Sequence, residues 1–442
     1  MPFLLSYRWS LFAILACALA LRLAAGAWWQ QRLPAGKTFG FPDSESYWEL
    51  GRKIARGEPY EFGPERLAIF RTPGYPILLA GLFLLAGDEP PVSWARALSA
   101  ICGTIAVGGV ASLARLLFDE RTALLAATLT ALYPEAIAAS TFVLSEAPFG
   151  PLMVFQLVAW TRAWRADSGR QQFGWAAAAG VLGGLATLMR PSWLLFVPFA
   201  IAAGMASVRF FRSATQSAAY RRHMLIGATL LATLCATLAP WWIRNYAVAG
   251  RFVPTSLQVG ASLYDGWGPQ ATGASDMQFV PQFIAEQHQV DRDQADRDQA
   301  DRQATLPPRG TFEDRLDRRL RNASLAWATN HPVRVLQLAG IKFLRMWNPL
   351  PNAAEFGTGT LRAILALTYT PLIALALVGA WRFTRRDWPY LLCLLPAFYF
   401  TGLHMIFVSS IRYRQPAMLV LIVLAAGILT RWLARPTAAP ST

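Results

Sequence analysis

The sequence has few charged side chains. Asp, Glu, Lys and Arg make up 15% of its 442 residues, whereas soluble domains contain about 25%. Hydrophobic residues account for 54%, above the roughly 45–50% of soluble domains. This composition excludes a series of ordinary soluble domains and indicates one polytopic membrane domain.

Acidic residues are scarcer than basic ones. The chain has 26 Asp and Glu against 41 Lys and Arg, a net charge of +15. In a soluble protein this excess would suggest nucleic-acid binding, but in a membrane protein it first suggests arginine-rich cytoplasmic loops. The arginines lie mostly at the ends of apolar runs. We therefore expect membrane lipids as partners and no nucleic acid.

Cysteine and histidine are rare, with four of each. The cysteines lie within apolar stretches without a C-x-x-C pair, and the histidines are scattered. These spacings exclude the usual zinc and redox motifs, and P-loop, dinucleotide and G-x-S-x-G patterns are missing as well. We expect no disulfide, resident metal or other cofactor, although a substrate could bring a divalent ion.

Long apolar runs dominate the rest of the sequence. A helix needs about 20 apolar residues to cross a bilayer, and the chain contains about ten such runs. They lie near 9–29, 93–117, 122–141, 146–163, 173–189, 192–209, 223–243, 360–381, 388–407 and 415–433. Pro191 separates two of them, because proline interrupts a helix. We predict an all-α polytopic membrane domain over 1–433, followed by a cytoplasmic tail over 434–442.

The arginines between these runs predict the orientation. In a ten-span arrangement, most of them fall on the side of the N-terminus. They are Arg8, Arg115, Arg121, Arg162, Arg165, Arg170, Arg209, Arg212, Arg221, Arg222, Arg382, Arg385, Arg386, Arg431 and Arg435. The positive-inside rule then places both termini in the cytoplasm. Residues 25–27 resemble a signal-peptidase site, but the first run is long enough to span, so we expect it to stay uncleaved.

Two long segments, 30–92 and 244–359, fall on the opposite side, and we call them the first and second outer segments. The apolar stretch 75–86 is too short to span and suits an interfacial or re-entrant helix. Residues 332–347 read as an amphipathic, surface-lying helix. The charged repeat at 291–304 indicates a solvated flexible stretch. Its D-x-D pattern matches a metal motif in letters only.

Two outer residues permit both a structural and a functional interpretation. Asp43 follows a proline ahead of a predicted helix over 44–56, so it suits a helix N-cap. A carboxylate beside aromatics at a membrane interface is also a candidate general base. Arg71 precedes the Pro-rich entry to the short apolar helix. It is either an interfacial anchor or a clamp for a phosphate.

Other polar residues lie at the predicted outer turns. Glu146 either caps the fourth span together with Ser145 or has a functional role, because an acid in an apolar setting is costly. Arg412 and Arg414 lie on the outer side, as do Arg190 and Arg244. Outer arginines contradict the positive-inside bias, so they indicate an anionic partner such as a lipid phosphate.

An ordered set of motifs resembles a known superfamily. The motifs are DSESYWELGRKIARGEPY (43–60), RTPGYP (71–76), LSEAPF (144–149), MRP (189–191), PWWIRNY (240–246) and RYRQP (412–416). Together they resemble the GT-C superfamily of glycosyltransferases that use lipid-linked sugars. The resemblance is greatest to the bacterial branch akin to protein O-mannosyltransferases and to the lipid A aminoarabinose transferases, also described as glycosyltransferase family 39-like.

The resemblance implies a polyprenyl-phosphate sugar as donor and an inverting transfer in which the lipid phosphate leaves. Asp43 matches the catalytic base of the first outer loop. Arg71 matches a basic residue expected at a substrate phosphate, and Tyr75 of the same motif joins the substrate-binding set. Glu146 matches a second acid that orients the acceptor or the base.

The remaining matches concern the donor phosphate and the surroundings of the base. Arg412 and Arg414 match a basic outer pair that holds the phosphate, and Arg190 of the MRP motif is grouped with them. Glu45 stands near an acid that directly follows the Asp in mannosyltransferases, but here Ser44 intervenes.

These matches imply an enzyme of the bacterial inner membrane with its site on the outer, periplasmic face. The acceptor is left open among lipid, glycan and protein. A polytopic transporter or flippase for lipids is the alternative. Transporters often contain inverted repeats, whereas this sequence shows no internal repeat of that kind.

Overall fold

A computed structural model describes residues 6–87, 89–210, 216–300, 310–351 and 359–434. Over these residues the chain is α-helical, and its β-structure is limited to an isolated bridge between Phe62 and Leu67. The predicted all-α class is therefore confirmed. The predicted tail lies outside the described residues from position 435 onward.

Helices α1 to α9 form the first half of the described chain. Their bounds are α1 Tyr7–Arg32, α2 Pro42–Ala55, α3 Gly74–Ala86, α4 Val92–Leu117, α5 Glu120–Leu132, α6 Pro134–Ala139, α7 Glu146–Arg165, α8 Gly169–Met189 and α9 Phe196–Phe210. A short 3-10 helix, Pro191–Trp193, separates α8 from α9. The predicted break at Pro191 is thus present.

Helices α10 to α17 form the second half. Their bounds are α10 Gln216–Ala249, α11 Val259–Gly266, α12 Val280–Ala300, α13 Phe312–Asn330, α14 Pro332–Trp347, α15 Gly359–Phe383, α16 Trp388–Ile406 and α17 Gln415–Leu433. A second 3-10 helix, Ile411–Arg414, leads directly into α17. This compact turn determines where the arginines of the RYRQP motif point.

Eight helical segments of the described chain are long and apolar enough to cross a membrane, rather than the ten of the sequence prediction. The predicted span 122–141 divides into α5 and α6, because Tyr133 adopts an extended backbone ahead of Pro134. The predicted span 146–163 is one helix, α7, but it contains polar residues and most of it is buried by protein. Gln156 of α7, for example, accepts a hydrogen bond from Trp193 Nε1 at 2.7 Å.

These two regions nevertheless run between the same two ends of the bundle as their neighbours. At one end, Arg115 pairs with Glu120, and Arg165 donates to the carbonyl of Leu116. At the other end, Arg96 near the start of α4 donates to the carbonyl of Thr141, which follows α6. The turns predicted to share a side therefore contact one another.

Small residues allow close helix packing in the bundle. Gly180 and Gly184 lie one helical turn apart on α8 and face α10. A Cβ atom at Gly184 would lie 2.6 Å from the Cβ of Thr237 on α10. Membrane helices associate through such small-residue faces, because lipid supplies no hydrophobic driving force between them. Helices α8 and α10 therefore pack closely at these two glycines.

The outer segments contain the remaining helices. The first carries α2 and α3, and the second carries α11 to α14, so the predicted helices at 44–56, 75–86 and 332–347 are confirmed with small shifts in their bounds. The repeat was expected to be flexible, but the structure describes it as part of α12 up to residue 300; residues 301–304 lie outside the described chain. Glutamine–aspartate pairs four residues apart, such as Gln289 with Asp293, stabilise this helix.

Candidate active site

Five charged side chains from separate parts of the sequence meet at one end of the bundle. They come from the start of α2, the loop before α3, the start of α7, the α8–α9 break and the turn before α17. We call Asp43, Arg71, Glu146, Arg190 and Arg412 the charge cluster. All five are predicted site residues, and helix boundaries rather than helix interiors position them.

Asp43 is the accessible carboxylate of the charge cluster. Helix α2 begins at Pro42 with Phe41 as N-cap, so Asp43 lies within the first turn and the N-cap interpretation is wrong. Its Oδ1 is 2.7 Å from Arg71 Nη2, and its Oδ2 is 3.7 Å from Arg412 Nη2. The side chain remains 43% exposed. It can therefore meet a substrate while contacting two cations.

The surroundings of Asp43 affect its pKa in opposite directions. Burial alone would raise the pKa, because it disfavours the charged form. Arg71 and then Arg412 lower it by their positive charge, and a hydrogen bond from Arg71 adds to their effect. The pKa of Asp43 consequently lies below its ordinary value. The carboxylate is ionised at neutral pH and weakly basic as long as the two arginines stay in place.

Glu146 is the buried carboxylate of the charge cluster. It is the first residue of α7, and Ser145 makes no side-chain cap bond, so the capping-box interpretation is wrong. Glu146 Oε1 is 2.7 Å from Arg190 Nη1 and 2.8 Å from Arg412 Nε, with a side chain only 4% exposed. Three guanidinium groups therefore face two carboxylates, an excess of one positive charge.

The Arg71 side chain is held by more than its ion pair. Its Nε donates to Ser46 Oγ at 3.0 Å, and its Nη1 donates to Gln258 Oε1 at 3.1 Å. Its guanidinium group also lies 4.8 Å from the Tyr47 ring centroid. Sequence reasoning missed Ser46 and Tyr47, although the helical spacing from Asp43 places all three on one face of α2. No motif or helical spacing in the sequence identifies Gln258 as a site residue.

Aromatic rings enclose the other arginines. The Arg412 guanidinium group lies 5.4 Å from the Phe41 centroid and 5.2 Å from that of Tyr413. Arg190 lies 5.8 Å from the Tyr413 ring and 5.9 Å from the Phe149 ring. Aromatic faces attract cations and fix guanidinium planes. The enclosed arginines are therefore oriented before any ligand binds.

The structure does not bring Arg414 into the charge cluster. Arg414 is fully buried and forms an ion pair with Glu135 of α6. It also donates to the carbonyls of Met346 and Asn348 and lies 3.7 Å from the Tyr369 ring centroid. These contacts occupy the guanidinium group and connect α6, α14, α15 and α17. The prediction that Arg414 holds a phosphate is thus replaced by a structural role.

Glu45 and Tyr75 also lie apart from the charge cluster. Glu45 is exposed on α2, and it makes none of the contacts described for the cluster. Tyr75 is 1% exposed and packs edge-on against Tyr47, with ring centroids 5.2 Å apart. It therefore supports the wall behind Arg71 rather than lining an open surface.

The described residues contain no group of three or more His, Cys, Asp or Glu side chains that could hold a metal ion. In the charge cluster, arginines occupy the space around both carboxylates. The chemistry open to this arrangement is proton acceptance by Asp43 and stabilisation of an anion by the guanidinium groups.

Part of the chain matches a known protein family. Residues 71–241 match the family described as dolichyl-phosphate-mannose-protein mannosyltransferase. This segment contains Arg71, Glu146 and Arg190, but not Asp43 or Arg412. No curated protein matches the chain by sequence.

Solved structures show the same fold. The apo oligosaccharyltransferase of Archaeoglobus fulgidus aligns with a TM-score of 0.61 and 16% identity over 98% of this chain. AglB from the same organism, in complex with an inhibitory peptide and a dolichol-phosphate, gives 0.57 and 17% over 98% of this chain. In each case the alignment covers 52% of the oligosaccharyltransferase chain, so this protein spans about half of its length.

A third structure is ArnT from Cupriavidus metallidurans bound to undecaprenyl phosphate, with a TM-score of 0.45 and 15% identity over 96% of this chain and 78% of that one. The fold comparison rests on the two oligosaccharyltransferase structures. This chain therefore has the same polytopic helical fold as the two oligosaccharyltransferases.

Proposed function

We propose that the protein is a membrane glycosyltransferase that moves a sugar from a polyprenyl-phosphate donor to an acceptor, with inversion at the anomeric carbon. One observation carries the proposal. An accessible carboxylate, Asp43, contacts both Arg71 and Arg412, so a candidate base and candidate phosphate ligands share one site. The GT-C fold and the matched family support the choice of a lipid-phosphate donor.

In the proposed reaction, Asp43 takes the proton of the acceptor group as its nucleophilic atom attacks the anomeric carbon. A new bond forms at that carbon while the bond to the phosphate oxygen breaks. The electron pair of the broken bond stays with the lipid phosphate. Arg71, Arg190 and Arg412 then stabilise the added negative charge through charge-assisted hydrogen bonds.

The donor phosphate would change the state of Asp43 as it binds. In the ligand-free arrangement, Arg71 and Arg412 lower the pKa of Asp43 and make it a poor base. A phosphate that pairs with these arginines replaces Asp43 as their counter-ion. Because the neighbouring positive charge is then neutralised, the pKa of Asp43 rises and the carboxylate becomes a better proton acceptor.

The distribution of charge supports the proposed location. Arginine-rich turns at the opposite end of the bundle favour cytoplasmic termini and a site on the outer face. We propose the inner membrane of a bacterium, with the site facing the periplasm. The acceptor is a lipid, a glycan or a protein, because the charge cluster recognises the donor phosphate and leaves the acceptor class open.

The decisive experiment compares two acids of the same helix. The protein is purified in lipid nanodiscs and given a panel of polyprenyl-phosphate sugars. We expect wild type to consume one donor, Asp43→Asn to lose at least about 100-fold in rate, and Glu49→Gln to match wild type. Glu49 is a suitable control because it pairs with Lys53 on the surface of α2. Equal donor consumption by wild type and Asp43→Asn would refute the assignment of the base.

The transporter alternative is tested with the same preparation. Reconstituted vesicles carrying a fluorescent polyprenyl phosphate report its movement between leaflets. Movement without consumption of any donor would favour a flippase and overturn the enzyme. No movement together with donor consumption supports transfer.

The phosphate clamp is tested by direct binding. Undecaprenyl phosphate serves as the probe, and Arg412→Gln should bind it about tenfold or more weakly than wild type, since charged hydrogen bonds contribute about 1.5–3 kcal/mol each. Arg52→Gln is the control, because Arg52 pairs with Glu89 at the surface. Equal affinity in Arg412→Gln would refute the clamp.

A further inference from the structure

A buried carboxylate of the second outer segment touches the backbone that carries Arg71. Glu313 is the second residue of α13 and is 5% exposed. Its Oε2 accepts a hydrogen bond from the backbone N–H of Ile69 at 2.8 Å, across 244 positions of sequence. Ile69 lies two residues before Arg71. The contact therefore joins α13 to the loop that supplies a member of the charge cluster.

Other bonds from the second outer segment reach the same short stretch. The N–H of Leu257 donates to the carbonyl of Ile69 at 3.0 Å, and Arg244 Nη1 donates to the carbonyl of Ala68 at 2.6 Å. With Glu313, both backbone polar groups of Ile69 are bonded to this segment. The backbone before Arg71 is thus held by residues far away in sequence.

Burying a carboxylate at position 313 costs free energy of desolvation. Burial disfavours its charged form and raises the pKa to about 7, while the N–H groups of Ile69 and Ala68 and the charge of Arg244 oppose that rise. Asp317, one turn further along α13, raises the pKa slightly as well. An apolar side chain would avoid the desolvation cost. A buried acid that accepts a backbone N–H has a specific partner to hold.

We propose that Glu313 is a positioning residue that fixes the Ile69–Arg71 backbone and so sets the Arg71 guanidinium group for its anion. The identity of that anion, a lipid phosphate, rests on the proposed function. The anchoring itself does not, because it concerns contacts within the chain. The second outer segment then helps to position one member of the charge cluster.

The test compares three substitutions of Glu313. Glu313→Gln keeps an acceptor oxygen for Ile69, Glu313→Met removes it at similar volume, and Glu313→Asp withdraws it by one methylene. With undecaprenyl phosphate as the probe, we expect Glu313→Met and Glu313→Asp to bind about tenfold more weakly and Glu313→Gln to remain within about threefold of wild type. Glu286→Met is the control, because Glu286 pairs with Arg319 away from Ile69.

A double-substitution cycle separates positioning from general damage. In an Arg71→Gln background, Glu313→Met should cause little further loss of binding, because both changes act through the same guanidinium group. Equal affinity of wild type and Glu313→Met, equal losses in the Gln and Met variants, or additive losses with Arg71→Gln would each overturn the proposal.

Hydrogen–deuterium exchange measures the hydrogen bond between Glu313 and the Ile69 amide without any ligand. The amide of Ile69 should be protected in wild type and Glu313→Gln, and should exchange faster in Glu313→Asp. Unchanged exchange in Glu313→Asp would overturn the proposal even if Glu313→Met failed to fold. Lack of undecaprenyl phosphate binding by wild type would instead count against the proposed function.

Discussion

Replacing Glu146 by Gln should destabilise the folded protein, although only a charge is removed. Glu146 is 4% exposed and lies within 2.8 Å of both Arg190 and Arg412. Without its charge, two largely buried guanidinium groups face each other. Removing one partner of a buried ion pair costs about 3–5 kcal/mol. We expect about 3 kcal/mol, at the low end, because Arg412 retains Asp43 as a partner.

The matching change at Asp43 should have the opposite effects: little loss of stability and a large loss of activity. Asp43 is 43% exposed, although its partner Arg71 is only 14% exposed, so solvent screens this pair in part and the pair contributes about 1 kcal/mol or less. Asp43→Asn should therefore change the free energy of unfolding by less than about 1 kcal/mol. As the proposed general base, however, Asp43 should contribute about 10²- to 10⁴-fold to the transfer rate.

Both variants are measured in the same nanodiscs, by thermal unfolding and by donor consumption. We expect Glu146→Gln to unfold at a clearly lower temperature than wild type, whereas Asp43→Asn should unfold near the wild-type temperature and be inactive. If Glu146→Gln unfolds like Asp43→Asn, the buried-charge argument is wrong. If Asp43→Asn loses stability and activity together, its inactivity says nothing about proton transfer.

Three further outcomes follow from the structure. Arg414→Ala should lower the unfolding temperature by leaving Glu135 buried without its partner, a change worth about 3–5 kcal/mol, while undecaprenyl phosphate binding by the folded fraction stays near wild type. Gly184→Leu should destabilise the bundle in the same assay, because a Cβ there would lie 2.6 Å from Thr237; normal stability would refute the close α8–α10 packing. The pKa of Glu313 is raised from 4.5 to about 7, so the folded state holds a proton that the unfolded chain releases. Stability should thus fall as pH rises from 4.5 toward 7, and Glu313→Gln should flatten that dependence.

Much of the fold could be predicted because hydropathy reports directly on membrane helices. The apolar run of α3 and the amphipathic run of α14 are confirmed for the same reason. The division of the third span was missed, although Pro134 lies inside it just as Pro191 lies inside another apolar region. Hydropathy also could not separate α7, an interior helix buried by protein, from a helix facing lipid.

The sequence could predict those site residues that depart from the positive-inside rule. Arginines on the predicted outer side contradict the positive-inside bias, which drew attention to Arg190 and Arg412. The same reasoning could not separate Arg412 from Arg414, because their different directions depend on a 3-10 turn and on Glu135. The sequence did not single out Gln258 and Glu313, since a polar residue in a long outer segment belongs to no distinctive pattern. Their importance arises only from contacts across the fold.

The two carboxylates of the charge cluster differ in a way that gives them different tasks. Three guanidinium groups held close together repel one another, so some anion must balance them before substrate arrives. Glu146 is buried and paired with Arg190 and Arg412, and a ligand cannot replace it without a large desolvation cost. Asp43 is partly exposed, so a ligand can replace it as the counter-ion of the arginines. A phosphate that enters the site should therefore displace Asp43 and leave Glu146, so that the same event would hold the proposed donor and free the proposed base.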